Sequence, residues 1–363
     1  FLSMAEPHLA ALEFKVTPLN YSERITLRST LDGTVVNYGV PRYRDLSKKH
    51  LEPVDSREQD GRLELHTRTN ESAVDIYMGA RHTISSDGAE VAADADVERG
   101  QAHVSGLMRF AALHDHTHSL RKYVAIYTSR DRDTDDPARD MRLLVDERGS
   151  DHDQFEEALS RHARRWAELW ERADIRVDPD RFSQRVIRLH AYHLLASASP
   201  NSAGQDVGFT ARGLHGEAYR GHVFWDELFV EPFYNLRFPD VTRGHLLYRY
   251  RRLDAARALA REEGLEGAMY PWQSAEDGGE ESQVLHYNPR SGEWDPDLSR
   301  NQRHISLAIA YDVWSYYYST DDREFMREYG LEMLLEICRF WVSKAYYDES
   351  DGRYHIDGVM GTD

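Results

Sequence analysis

The chain has 363 residues, with 45 Lys and Arg against 63 Asp and Glu, for a formal charge of −18. An acidic surface argues against nucleic acid or an anionic membrane as a partner, because neither attracts negative charge, whereas a neutral ligand is compatible with it. No apolar run approaches the ~20 residues that span a bilayer, no charged-then-apolar leader opens the sequence, and the single cysteine, Cys338, excludes an internal disulfide, so a cytoplasmic protein is expected.

This length has room for two domains, and the sequence falls into two regimes. From about residue 12 to 130 the pattern is strand-like. Leu12-Glu-Phe-Lys-Val16, Arg62-Leu-Glu-Leu-His-Thr67, Val74-Asp-Ile-Tyr-Met78 and Tyr123-Val-Ala-Ile-Tyr127 alternate or carry β-branched and aromatic residues, with Gly, Asp and Ser between them. That predicts an antiparallel β-sandwich over residues 1–150. His114, His116 and His118 alternate, so an extended strand would present all three on one face as metal ligands could be; the segment reads equally as a polar turn, no fourth ligand is evident, and no metal is expected.

A linker helix follows over 153–172, within a linker of 151–180. Phe155, Leu159, Ala163, Trp166 and Trp170 recur at helical spacing, and Asp153 stands where an N-cap would. Beyond residue 180 the periodicity is helical almost throughout, with helices predicted over 182–197, 239–263, 305–318 and 321–345. Long loops between them carry aromatic and acidic residues, which suggests helical hairpins with a site at one end.

The chemistry concentrates in those loops. Gly213-Leu-His-Gly-Glu-Ala-Tyr-Arg-Gly-His-Val-Phe-Trp-Asp226 sets a carboxylate beside an indole. A pyranose offers an apolar C–H face that packs on an aromatic ring and a rim of hydroxyls that carboxylates and amides bind, so Trp225 and Asp226 would serve both halves. An acid within an apolar run is costly to bury unless paired, so Asp226 is expected to have a specific partner; the plainer reading is an exposed or N-cap aspartate at a helix start. Arg220 and His222 either brace Asp226 or touch sugar. Tyr270-Pro-Trp-Gln-Ser274 repeats the pattern with Trp272 and Gln273, although Trp272 also reads as a core plug. The acidic run Glu276-Asp-Gly-Gly-Glu-Glu281 reads as a solvated loop, with Glu280 kept as a candidate sugar ligand. Gln302 and His304 precede the helix at residue 305, where a satisfied structural histidine is the alternative.

Arg220-Gly-His-Val-Phe-Trp-Asp226, together with Tyr248-Arg-Tyr-Arg-Arg-Leu-Asp-Ala-Ala-Arg257, Gly267-Ala-Met-Tyr-Pro-Trp272, Phe340-Trp341, His8-Leu-Ala-Ala-Leu12 and Val16-Thr-Pro-Leu-Asn20, resembles glycoside hydrolase family 65, mostly disaccharide phosphorylases. The resemblance implies an α+β multidomain protein: a β-sandwich, a helical linker, then over residues 181–363 the first part of an (α/α)6 barrel. It implies that Trp225 and Asp226 contact the non-reducing-end sugar, and that Gln302 and His304 belong to a short polar motif at a barrel helix start. Many family members have Glu where Gln273 stands, which affects the linkage or acceptor specificity rather than the reaction class. The resemblance also implies that no catalytic residue lies in the chain. Gly358-Val-Met-Gly-Thr-Asp363 looks like the segment leading into the family's general-acid glutamate, which would come immediately after Asp363, so the sequence reads as an internal fragment.

The implied reaction is inverting. An α-linked glucose disaccharide meets inorganic phosphate as co-substrate, with no other cofactor, and yields β-glucose 1-phosphate and a free sugar. The alternatives are an inverting hydrolase of the same family and a carbohydrate-binding fragment without catalysis. A homodimer is compatible with the resemblance.

Overall fold

A computed structural model describes residues 1–37, 47–150, 154–178, 180–213 and 219–361. It divides into two compact units, one of Phe1–Asn37 with Ser47–Arg172 and one from Ala173 onward.

In the first unit the alternating segments become strands β1 (Leu9–Val16), β2 (Glu23–Asp32), β3 (Leu51–Gln59), β4 (Arg62–Thr69), β5 (Asp75–Ser86), β6 (Ala89–Glu90), β7 (Asp94–Arg99), β8 (His103–Ala112) and β9 (His118–Thr128). They form two antiparallel sheets, ordered β1-β9-β5-β4-β3 with β6 on β5, and β2-β8-β7. Leu31, Leu63, Leu65, Ala80 and Val104 join them as a sandwich. The outer face of the larger sheet is covered by α1 (Pro137–Arg148) and α2 (Gln154–Ala173), whose Met141, Val145 and Phe155 pack on Ala11, Tyr123 and Ala125. In β1 the core side is Leu9 and Ala11, while Leu12 and Phe14 are about half exposed.

Helix α2 is the expected linker helix; its proposed cap, Asp153, lies outside the described residues. Helix α1 was not expected, although its start is encoded locally: Asp136 accepts from Arg139 N and Pro137 takes the first helical position. The three alternating histidines do not share a face. His114 Nε2 meets Leu19 O at 2.9 Å, His116 Nδ1 meets Asp87 Oδ2 at 2.5 Å, and His118 is buried at the start of β9, where its Nε2 accepts from Leu113 N.

The second unit contains α3 (Arg181–Ser197), α4 (Glu227–Arg237), α5 (Pro239–Arg251), α6 (Leu253–Glu262), α7 (Ile305–Thr320), α8 (Arg323–Phe325) and α9 (Leu331–Lys344). Two short hairpins interrupt them: β10 (Leu285–Asn288) with β11 (Glu293–Pro296), and β12 (Tyr346–Asp348) with β13 (Arg353–His355). Sandwich, linking helix and helical region together are the expected α+β multidomain class, the helices supplying part of the (α/α)6 barrel.

Two expected helices are divided. The run 239–263 breaks at Arg252, whose guanidinium turns back over the Tyr248 ring at 3.6 Å and donates to Glu276 O. The run 321–345 is α8, a π-helical turn over Met326–Gly330, then α9. Leu246, Ala256, Tyr270, Ile309, Phe325 and Ile337 are among the side chains that fill the shared core. Among the described residues no helix is long and apolar enough to cross a membrane.

The loop into Tyr270-Pro-Trp-Gln-Ser274 crosses α9 at Gly267. Its φ is +73°, and a Cβ there would meet Glu336 O at 2.2 Å and Phe340 N at 2.4 Å, both backbone atoms. Neither the turn nor the helix can yield cheaply, so Gly267→Ala is expected to lower the stability of the helical unit by at least about 2 kcal/mol, read from denaturant unfolding.

Candidate active site

Two loops meet at the candidate site. The chain before α4 and the chain after α6 are zipped by an antiparallel bridge, in which Val223 N donates to Ser274 O at 3.3 Å and Ser274 N to Val223 O at 2.9 Å. The second loop is fixed from below: Tyr248 Oη lies 3.0 Å from Ser274 Oγ and donates to Ala275 O, Tyr270 N donates to Ser306 Oγ, and Tyr270 Oη donates to Arg249 O.

The zip brings three expected residues into one aromatic group. The Trp225 ring lies 5.9 Å from Trp272 and 4.9 Å from His304, and Trp272 lies 5.0 Å from His304. Burial holds His304 below its ordinary pKa. Trp225 and His304 also face an open cavity of about 710 Å³ whose other walls include Leu228, Tyr311, Trp341 and Met360. Met360 N donates to Asn301 O at 2.8 Å, which ties the segment after Gly358 beside Gln302 and His304. Gln302 is buried with no side-chain hydrogen bond among the described residues. Residues 362–363, on which the expected position of the general acid depends, lie outside the described residues, as do 214–218 of the Gly-rich run.

Asp226 departs from expectation. It precedes the first residue of α4, but its φ and ψ of −59° and −22° are already helical and its side chain makes no capping bond. It is half-buried, and no protein group pairs with it among the described residues. Burial, and secondarily the charge of Glu227, hold its carboxyl above the ordinary range, against the lowering effect of its own N–H. The specific partner expected for a buried acid is therefore not found among the described side chains.

The other candidates are turned inward. Gln273 Nε2 donates to Tyr219 O and to His222 Nδ1, the latter at 2.7 Å, so His222 carries its proton on Nε2. Burial, with the nearby Arg220 charge, pushes His222 down to about 4, so the ring is neutral at physiological pH. Arg220 has left-handed backbone, φ +56°, and donates to Glu281 O. Glu280 is reassigned: its two oxygens accept from Trp272 N at 2.7 Å, Gln273 N at 3.2 Å and Ser282 N at 3.0 Å, which fixes the tryptophan loop rather than presenting a carboxylate to sugar.

Sequence reasoning missed the clamp beneath. Arg249, 1% exposed, donates from Nε to Glu227 Oε2 at 2.9 Å and from Nη2 to Phe224 O at 2.5 Å, while Glu227 Oε1 accepts from Phe209 N. It therefore grips the backbone on one side of Trp225-Asp226 and the side chain on the other. The signal was available: Glu227, Glu231 and Asn235 recur every four residues on an otherwise apolar stretch.

The chain matches the glycosyl hydrolase family 65 N-terminal domain over residues 1–169 and that family's central catalytic domain over 188–363. It belongs to glycoside hydrolase family 65. It is 44% identical, over its whole length, to an uncharacterised glycosyl hydrolase of Mycobacterium tuberculosis, of which it spans 27%. It is 33% identical over its whole length to a kojibiose phosphorylase of Halothermothrix orenii, spanning 46% of that protein, and 35% identical over 95% of its length to a trehalose 6-phosphate phosphorylase of Lactococcus lactis, spanning 43%. A solved structure of a putative kojibiose phosphorylase from the human microbiome superimposes on the whole chain with a TM-score of 0.81 at 21% identity, and the chain covers 44% of it. The chain thus spans less than half the length of each of these relatives.

Arg249→Met leaves Glu227 buried without its cation and is expected to cost about 3–5 kcal/mol in denaturant unfolding, whereas a surface arginine such as Arg327 would cost well under 1. Asp226→Asn moves stability the other way. A carboxyl whose folded pKa is raised contributes fully below its unfolded pKa and loses that contribution as pH rises through the folded value, so the ionised aspartate is a burden at neutral pH. Asp226→Asn is expected to raise the melting temperature on the order of 1 °C at about pH 7, water still screening part of the charge, and not at all near pH 4, as calorimetry at the two pH values would show.

Proposed function

We propose that the full-length protein is an inverting phosphorylase of α-linked glucose disaccharides, releasing β-glucose 1-phosphate and a free sugar. The observation that carries this reading is the half-buried Asp226 carboxylate, without a side-chain partner among the described residues, next to the Trp225/Trp272/His304 group. A sugar's hydroxyl rim satisfies the carboxylate and its C–H face covers the indoles, so ligand binding relieves what folding left unsatisfied. The names of the kojibiose, trehalose 6-phosphate and maltose phosphorylases among the relatives support the same substrate class.

On this reading a protonated carboxylic acid, expected to follow Asp363, donates to the glycosidic oxygen as the anomeric carbon gains oxocarbenium character. Phosphate attacks the opposite face of that carbon. Being already anionic, it needs no strong base; its oxygen bonds to the anomeric carbon as the glycosidic C–O bond breaks on the other face, the protonated oxygen leaves with the second sugar, and the configuration is inverted. Trp225 and Asp226 hold the non-reducing glucose, while Gln273 and His222 set the loop behind it.

Incubating the full-length protein with a panel of α-glucobioses, with and without inorganic phosphate, tests this directly. Phosphate-dependent glucose 1-phosphate from one disaccharide is the expected result. Equal glucose release without phosphate would make the protein a hydrolase and overturn the proposal. In the active protein Asp226→Ala is expected to reduce kcat/KM at least about 100-fold, a loss of about 3 kcal/mol of binding to the transition state.

A further inference from the structure

Helices α4, α5 and α7 meet along a polar seam that continues from the Glu227–Arg249 pair to acids the proposed reaction does not use. Glu227 faces Arg249, Glu231 Oε1 lies 3.8 Å from His245 Nδ1, and Asn235 Nδ2 donates to Ser315 Oγ at 3.3 Å. Asp312 of α7 is the third acid, close enough for its charge to act on Glu231. Glu227, Glu231, His245, Arg249 and Asp312 are all between 1% and 3% exposed.

The charges do not balance. Three carboxyl groups share one guanidinium, and that guanidinium is hydrogen-bonded to Glu227. Burial holds His245 below its ordinary pKa, so it supplies no second cation. Among the described residues neither oxygen of Glu231 accepts a hydrogen bond. Toward α3, Tyr234 donates its hydroxyl to the carbonyls of Leu194 and Ala198, a contact that carries no charge. An ionised Glu231 would therefore sit in a buried helix interface against Asp312 and Glu227, with Arg249 already engaged.

We propose that this seam binds protons: Glu231 and Asp312 are held as neutral carboxylic acids, and their ionisation loosens α4 and the Trp225-Asp226 turn that opens it. Burial and the neighbouring carboxylates both push these two groups well above the ordinary carboxylate range, Arg249 opposing. With raised folded values, their contribution to stability is complete below about pH 4 and is lost as pH rises through those values, at up to tenfold in the opening equilibrium per pH unit for each proton released. The inference stands on the seam alone and survives if the sugar reading fails.

Amide hydrogen exchange of the α4 peptide in the full-length protein, corrected for the intrinsic pH dependence of exchange, reads the opening locally. The parent is expected to lose protection as pH rises from about 5 to 9, and the double variant Glu231→Gln/Asp312→Asn to keep it. Infrared difference spectra, parent minus double variant at neutral pH, should show a protonated-carboxyl C=O band. Constant protection of α4 in the parent over that range would overturn the proposal without any variant, as would a difference spectrum lacking the band. A double variant that loses protection as steeply as the parent would do the same.

Discussion

The site rests on one buried ion pair. Arg249 reaches from α5 to Glu227 at the first residue of α4 and to the carbonyl of Phe224 two residues before it. Trp225 and Asp226 occupy the interval between those two grips, so the direction in which the indole and the carboxylate project is set by a guanidinium that never meets solvent. Burying such a pair gains little net stability over an apolar replacement, because desolvation cancels most of the attraction. Its value lies in geometry: an apolar side chain would fill the space without fixing either the carbonyl or the helix start.

The second loop is organised by the same economy of backbone groups. Glu280 satisfies three N–H donors around Trp272, and the Val223/Ser274 bridge satisfies two more N–H donors and two carbonyls while joining the loops. A loop carrying a tryptophan and a proline would otherwise leave donors exposed to an apolar neighbourhood at considerable cost. With these bonds made, Trp272 is positioned against Trp225 and His304, and the apolar group is continuous with the core formed by Leu246, Tyr270 and Ile309. The aromatic surface offered to a ligand is thus an extension of the hydrophobic core.

What was legible in the sequence follows from which signals are local. Strand alternation around Arg62-Leu-Glu-Leu-His-Thr67 and Tyr123-Val-Ala-Ile-Tyr127 and the apolar spacing after Ile305 yielded β4, β9 and α7. Trp225, Trp272 and His304 were each noticed for their residue type, and the fold then gathered them. The roles of Glu280 and Gln273 were not legible, because a carboxylate or amide in a loop looks the same whether it faces sugar or its own backbone. Helix α4 was not among the predicted helices, although a helix start at Asp226 was the plainer reading of that residue; Pro232 sits within the helix. The Arg249 clamp pairs residues 22 apart, beyond any periodic window.

Two adjacent acids, Asp226 and Glu227, end in opposite circumstances, and the backbone explains why. An N-cap aspartate closes onto the following amides from extended φ and ψ. Asp180 does this at the start of α3, at φ −77° and ψ 101°, accepting from Phe182 N and Ser183 N. Asp226, pinned between Phe224 O and Glu227 by Arg249, is held in helical geometry and cannot turn its carboxylate back onto the helix. The clamp therefore satisfies Glu227 completely and, by the same constraint, denies Asp226 the cap that a loose helix start would find. Among the described residues no group beyond its own N–H meets this half-buried carboxylate, which leaves it open to the hydroxyl donors that a polyhydroxylated ligand would bring.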